Sequence, residues 1–224
     1  MARQLRGAAG TVKVGSQLFT AEGPRALKEL AGLGFRIFLD LKFHDIPNTV
    51  AGAVAAAADL PRVRLLTLHT LGGAAMMRAA REAVANRGKR PALLGVTILT
   101  SMDAAALASV GISGSPAERA VALARLARES GLDGVVASGQ EARAIRDACG
   151  PKFLIVVPGV RPAGGTANDQ SRVTTPTQAI EAGADYLVVG RPITEAENPR
   201  AAALAIARDI GTFHRALAAR SPAT

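Results

Sequence analysis

The chain has 224 residues, 49% of them apolar, and a single Cys, so it suits one domain with an ample core and excludes an internal disulfide or a thiolate metal cluster. No apolar run is long enough to span a bilayer and Met1–Gly7 carries charge without an apolar stretch behind it, so neither a membrane partner nor a secretory signal is expected and a cytoplasmic location is the default. The net charge of +9 comes from 27 basic residues, of which only five are Lys, and the Arg residues (Arg3, Arg6, Arg62, Arg64, Arg78, Arg81, Arg119, Arg125) are scattered without interleaved aromatics; this reads as a solvated surface, not a nucleic-acid-binding face.

Taken in chain order, short β-like runs alternate with Ala-rich helical stretches. Residues 2–10 read as the tail of a helix ending at Gly7 or Gly10. Strands are expected at 12–15, 36–41, 64–69, 93–99, 134–137, 153–158 and 186–190, each short and apolar as a strand buried on both faces should be. Helices are expected at 24–31, 48–58, 73–86, 116–130, 140–148, 176–182 and 199–218. Regular β-then-α order implies parallel pairing with right-handed crossovers. No linker or repeat divides residues 1–224, so a single α/β domain is expected, of the (β/α)8 TIM-barrel class. Seven strands are one short of that barrel. The shortfall belongs at the front, where a first strand and most of its helix would precede residues 2–10. The alternative is an open seven-stranded sheet, which leaves two unpaired parallel edges.

The most informative stretch is Phe38-Leu-Asp-Leu-Lys-Phe-His-Asp-Ile-Pro-Asn-Thr-Val50. Asp40 and Lys42 are two apart, so on a strand they share a face. They stand at the strand's C-terminal end, where barrels build their active sites. Lys13, on the preceding strand, should lie close to Asp40. Asp45 stands just ahead of Pro47 and reads as a simple helix N-cap or as a functional acid. An internal salt bridge between Asp40 and Lys42 or Lys13 would be the structural reading. Buried ion pairs contribute little stability, however, and four alternating charges at a barrel mouth point to a site.

Asp40-Leu-Lys-Phe-His-Asp-Ile-Pro-Asn-Thr49 resembles the signature of the orotidine 5′-monophosphate decarboxylases. The resemblance runs on through Lys13-Val-Gly, Leu99-Thr-Ser, Asp133-Gly-Val-Val, Pro158-Gly-Val-Arg-Pro and Gly183-Ala-Asp-Tyr-Leu-Val-Val-Gly-Arg-Pro-Ile-Thr194, in order and over nearly the whole chain. It implies cofactor-free, metal-free conversion of orotidine 5′-monophosphate to uridine 5′-monophosphate in de novo pyrimidine biosynthesis. By the resemblance, Lys42 is the proton donor, Asp40 lies beside the departing carboxylate, and Lys13 is the second ammonium. The resemblance also implies a homodimer in which Asp45, Ile46 and Thr49 serve the partner's site. It places Thr100 at the pyrimidine edge, and Arg161 and Gln170 in a loop closing over substrate. His44 is assigned no chemistry. An Ala-Leu-Asp-like segment whose Asp binds ribose has no match before Lys13.

The chemistry suits these residue types. Loss of CO2 from C6 leaves a carbanion in the ring plane that no π-system delocalises, so fixed charge must stabilise it. An ammonium about 4 Å away contributes roughly 4 kcal/mol at an effective dielectric of about 20. Phosphate sites in such barrels favour the loops after the last two strands. Here those loops carry Arg161, Gly164, Gly165 and Gln170, and then Gly190 and Arg191; Arg supplies a planar fork, and Gly lets backbone N–H groups approach. The rival readings are a Mg2+-dependent sugar-phosphate decarboxylase or synthase of the same barrel group, which shares the Asp-x-Lys-x-x-Asp arrangement, and an inactive barrel that still binds nucleotides. A basic nucleic-acid-binding protein is a third.

Overall fold

The computed structural model describes residues 1–161 and 174–220, with 212–220 described by backbone alone. A 3-10 turn at Ala2–Leu5 leads into β1 (Thr11–Gly15), α1 (Ser16–Glu22), α2 (Pro24–Gly32), β2 (Arg36–Phe43), α3 (Pro47–Ala58) and β3 (Val63–His69). A second 3-10 turn, Thr70–Gly72, precedes α4 (Gly73–Glu82), β4 (Ala92–Val96), α5 (Ala104–Ser109) and α6 (Pro116–Glu129). The chain continues through β5 (Gly134–Val136), α7 (Ala142–Cys149), β6 (Leu154–Val157), α8 (Pro176–Glu181), β7 (Tyr186–Leu187), α9 (Arg191–Thr194) and α10 (Pro199–Arg220).

All seven strands form one parallel sheet in which each pairs with its neighbour in sequence, β1 through β7. Strand alternation splits the apolar residues into two sets. Phe38, Leu65, Leu94 and Val156 are buried together with Val136, Leu154 and Val188 around them, forming a plug inside the curled sheet. The intervening residues Ile37, Leu39, Leu66, Leu68, Leu93, Val135, Ile155 and Val157 face outward into a larger core with Val50, Val54, Met76, Met77, Ala124 and Ile145 of the helices. Each fully buried Leu or Ile contributes roughly 1.5–3 kcal/mol by leaving water. Gly134 lets β5 and β6 approach closely, because a Cβ there would overlap the Leu154 backbone oxygen.

Helix starts are written in the sequence. Ser115 and Glu118 form a reciprocal capping box for α6, and Thr175 and Gln178 form another for α8. Asp103 caps α5 by accepting the Ala106 N–H at 2.8 Å.

Several expectations need correction. Residues 2–10 hold a single 3-10 turn, not a helix tail; its Leu5 is buried against Phe35 and Ala203. β4 stops at Val96, not at 99, and β7 spans two residues where five were expected. β7 pairs on one side only, so fewer ladder bonds define it. The short helices α1, α5 and α9 were not anticipated. Among the described residues β1 and β7 do not pair with each other; the fold is a (β/α)8-type barrel sheet with seven strands.

Candidate active site

The charged residues meet at the C-terminal end of β2. Asp40 continues the inward face below it, directly above the apolar plug, and is buried. Lys42 Nζ donates to both of its carboxylate oxygens, at 3.0 and 2.9 Å. Lys13 Nζ, from β1, stands 3.2 Å from Oδ2. The two lysine side chains remain more than a third exposed while the Asp40 side chain is 10% exposed, so the acid forms the floor and the lysines face the mouth. Burial alone would raise the Asp40 carboxyl. The Lys13 ammonium, Lys42 with its hydrogen bonds, and a hydrogen bond from Thr67 outweigh it and hold the group below the usual carboxylate range.

The backbone at Lys42 is unusual. Its φ is +53°, a left-handed conformation that residues other than Gly rarely adopt. The β2–β3 register slips at the same place: Leu39 lies opposite Leu66, but Phe43 lies opposite Leu68. β2 thus advances four residues while β3 advances two, and the bulge re-aims the Lys42 side chain. The Lys42 N–H donates to Thr67 Oγ1 at 2.9 Å.

Asp45 is not part of this cluster. It is exposed, its Oδ1 accepts the neighbouring Ile46 N–H at 2.6 Å, and it does not cap α3, whose N-cap is Ile46 with Pro47 in the first turn. The simple N-cap reading of Asp45 is therefore corrected. Ile46 and Thr49 are exposed beside it, Ile46 at 66%. Thr100 is half-buried beyond the end of β4. Arg161 is buried, just past β6; its Nη1 donates to the Val160 carbonyl at 3.0 Å and its N–H to the Thr174 carbonyl at 3.1 Å. Gly190 precedes α9, with open space where a Cβ would lie, and Arg191 begins that helix. Gln170, Gly164 and Gly165 lie outside the described residues.

Two β3 residues escaped the sequence reading. Thr67 and His69 follow Leu65 on the inward face, and a polar residue at every second position of an otherwise apolar strand is the signal that would have found them. The His69 ring stacks on His44, with centroids 5.3 Å apart. Burial, then His44, then Lys42 push His69 down to about 4, so it is neutral at neutral pH. Its Nδ1 accepts the Leu71 N–H at 3.4 Å. Among the described residues no three His, Cys, Asp or Glu side chains are grouped to hold a metal ion.

Residues 1–206 match the sequence profile described as Orotidine 5'-phosphate decarboxylase / HUMPS family. The orotidine 5'-phosphate decarboxylase of Nitrosococcus oceani is 55% identical over 210 residues, 94% of this chain and 90% of that protein. The enzyme of the same name from Alcanivorax borkumensis is 54% identical, covering 89% of this chain and 86% of its own. The crystal structure of orotidine 5'-phosphate decarboxylase from Lactobacillus acidophilus superposes with a TM-score of 0.79 at 40% identity, covering 89% of this chain and 86% of that one. Sequence along most of its length and strand arrangement thus agree: the chain belongs to the orotidine 5'-phosphate decarboxylase / HUMPS family.

Proposed function

We propose that the chain decarboxylates orotidine 5′-monophosphate to uridine 5′-monophosphate in pyrimidine biosynthesis, with Lys42 as proton donor. The observation that carries this reading is Lys42 Nζ held on the buried Asp40 carboxylate, with Lys13 on the same oxygen, at the mouth of the sheet. The C6–carboxylate bond breaks, CO2 leaves, and the electron pair stays on C6. The Lys42 ammonium stabilises that pair and then transfers a proton to C6, and solvent returns a proton to the amine. Asp40 stands as the negative charge beside the leaving carboxylate, and Lys13 balances it. Because C6 gains negative charge only as the bond breaks, the ammonium's attraction is stronger in the transition state than in the ground state.

Arg161, Gln170, Gly190 and Arg191 are read as the phosphate and loop-closing group, and Thr100 as a contact to the pyrimidine. Phosphate contacts far from C6 drive closure and exclude water. The nucleoside acid without phosphate should therefore lose turnover as well as affinity; equal kcat for both substrates would count against this role.

The Mg2+-dependent reading is disfavoured because Asp40 already has an ammonium on each oxygen and the Thr67 hydroxyl on one. Activity should persist in excess chelator. Lys42→Ala should abolish decarboxylation, followed by loss of substrate absorbance, while leaving uridine 5′-monophosphate affinity largely intact by calorimetry. Near-normal turnover in that variant would refute the assignment of Lys42.

A cytoplasmic homodimer is part of the same reading. Leu18, Ile46, Leu71 and Leu99 are exposed in the segments that leave the C-terminal ends of the first four strands. Several large apolar side chains at one end of a barrel fit a covered surface. Exposed Asp45, Ile46 and Thr49 would then complete the partner's site. No described helix is long and apolar enough to cross a membrane.

A further inference from the structure

Thr67 lies in the middle of β3, wholly buried, inside the sheet and beneath the charged mouth. Val would fill the same space and suits a strand equally well. A buried hydroxyl costs free energy unless it is hydrogen-bonded, and this one is bonded on both sides. Its oxygen accepts the Lys42 N–H at 2.9 Å, and it stands 3.0 Å from Asp40 Oδ1. The direction of this chain is forced. An amide N–H can only donate, so the hydroxyl proton is free to point at the carboxylate.

Both bonded groups need such a partner. The left-handed Lys42 backbone is strained and persists only where its surroundings hold it. The register slip between Leu39 and Phe43 takes this stretch off the regular ladder, and Thr67 supplies the acceptor there. Asp40, for its part, receives Lys42 on both oxygens and Lys13 on Oδ2; the Thr67 donor on Oδ1 fixes the rotation of the carboxylate plane.

We propose that Thr67 is a positioning residue for the decarboxylation: one hydroxyl locks the Lys42 backbone and the Asp40 carboxylate into a single geometry without touching substrate. This rests on the reading of Lys42 as proton donor.

The test compares Thr67→Val, which removes the hydroxyl at nearly constant volume, with Thr67→Ser, which restores it. A misplacement of about 1 Å can cost about 100-fold in rate, so Thr67→Val should lower kcat by roughly 10- to 100-fold. Product affinity should change little. The acid limb of the kcat profile should move to higher pH, because Asp40 loses a donor that favours its ionised form. Thr67→Ser should recover most of kcat and the original profile. Wild-type kcat and profile in Thr67→Val would overturn the proposal, and so would equal impairment in Val and Ser. If Thr67→Val does not fold, Thr67→Ala against Thr67→Ser isolates the hydroxyl at similar volume, and equal kcat in those two would overturn it. Wild-type turnover and Lys42→Ala test the underlying reading separately. A crystal structure of Thr67→Val reads the Lys42 φ and the Asp40 carboxylate plane independently of activity. A Lys42 φ still near +53° with the carboxylate unrotated would overturn the proposal.

Discussion

At the scale of single residues, Asp40 and His69 tie stability to pH in the same direction. The Asp40 carboxyl is held below its ordinary range, so it favours the folded state above that range, and this stability is lost as pH falls through the lowered value. His69 is lowered from 6.5 to about 4, so the unfolded chain binds its proton first. Its contribution is complete above 6.5 and is lost as pH falls toward about 4. Denaturant midpoints should therefore decline across that window, and His69→Gln should flatten the decline. An unchanged slope in the variant would show that another group titrates there. The carboxylate and the amine were legible in sequence because a spacing of two at a strand end puts them on one face. The alternation along β3 marks Thr67 as inward-facing, but its bond to the Lys42 amide was not legible, because the bulge that makes it belongs to the pairing of two strands.

At the scale of elements, two matched devices join strands at the end opposite the site. Asp133, just ahead of β5, accepts the Leu93 N–H of β4 at 2.8 Å and a bidentate pair from Arg90 at 2.6 and 2.7 Å. Asp185, just ahead of β7, accepts the Ile155 N–H of β6 at 2.8 Å and Arg146 Nη2 at 2.7 Å. Each carboxylate ties the N-terminal part of one strand to the start of the next strand in the sheet. Asp133→Ala would leave the Leu93 amide and Arg90 without this partner. It should cost about 2–3 kcal/mol in chemical denaturation while leaving kcat nearly unchanged at low temperature, because the change lies far from the charged mouth. A loss below about 0.5 kcal/mol would mean that solvent replaces the carboxylate fully. Strands and long helices were readable because their apolar periods differ. The four- to seven-residue helices α1, α5 and α9 were not, because one or two turns carry too little period to register.

At the scale of the whole molecule, the proposed dimer makes a sharp prediction about mixtures. If Asp45 completes the partner's site, Lys42→Ala and Asp45→Ala homodimers are both impaired. A hybrid dimer then carries one site with both defects and one with neither. Random subunit exchange should restore roughly a quarter of wild-type activity. No recovery after demonstrated exchange would confine Asp45 to its own subunit. The barrel class was legible because the β-then-α rhythm admits few topologies, whereas the proposed subunit interface leaves only exposed apolar side chains such as Ile46 as its trace.

Because every strand lies beside its neighbour in sequence, the order of synthesis is also the order of assembly across the sheet. Lys13, Asp40, Lys42 and Thr67 all sit on β1 to β3, whereas Arg161, Gly190 and Arg191 follow β6 and β7. The residues proposed for the reaction can thus be brought together on the ribosome before those proposed to bind phosphate have been made. A bound nucleotide would then join the oldest third of the chain to its youngest. Ligand should slow proteolytic nicking most in the segments that emerge last.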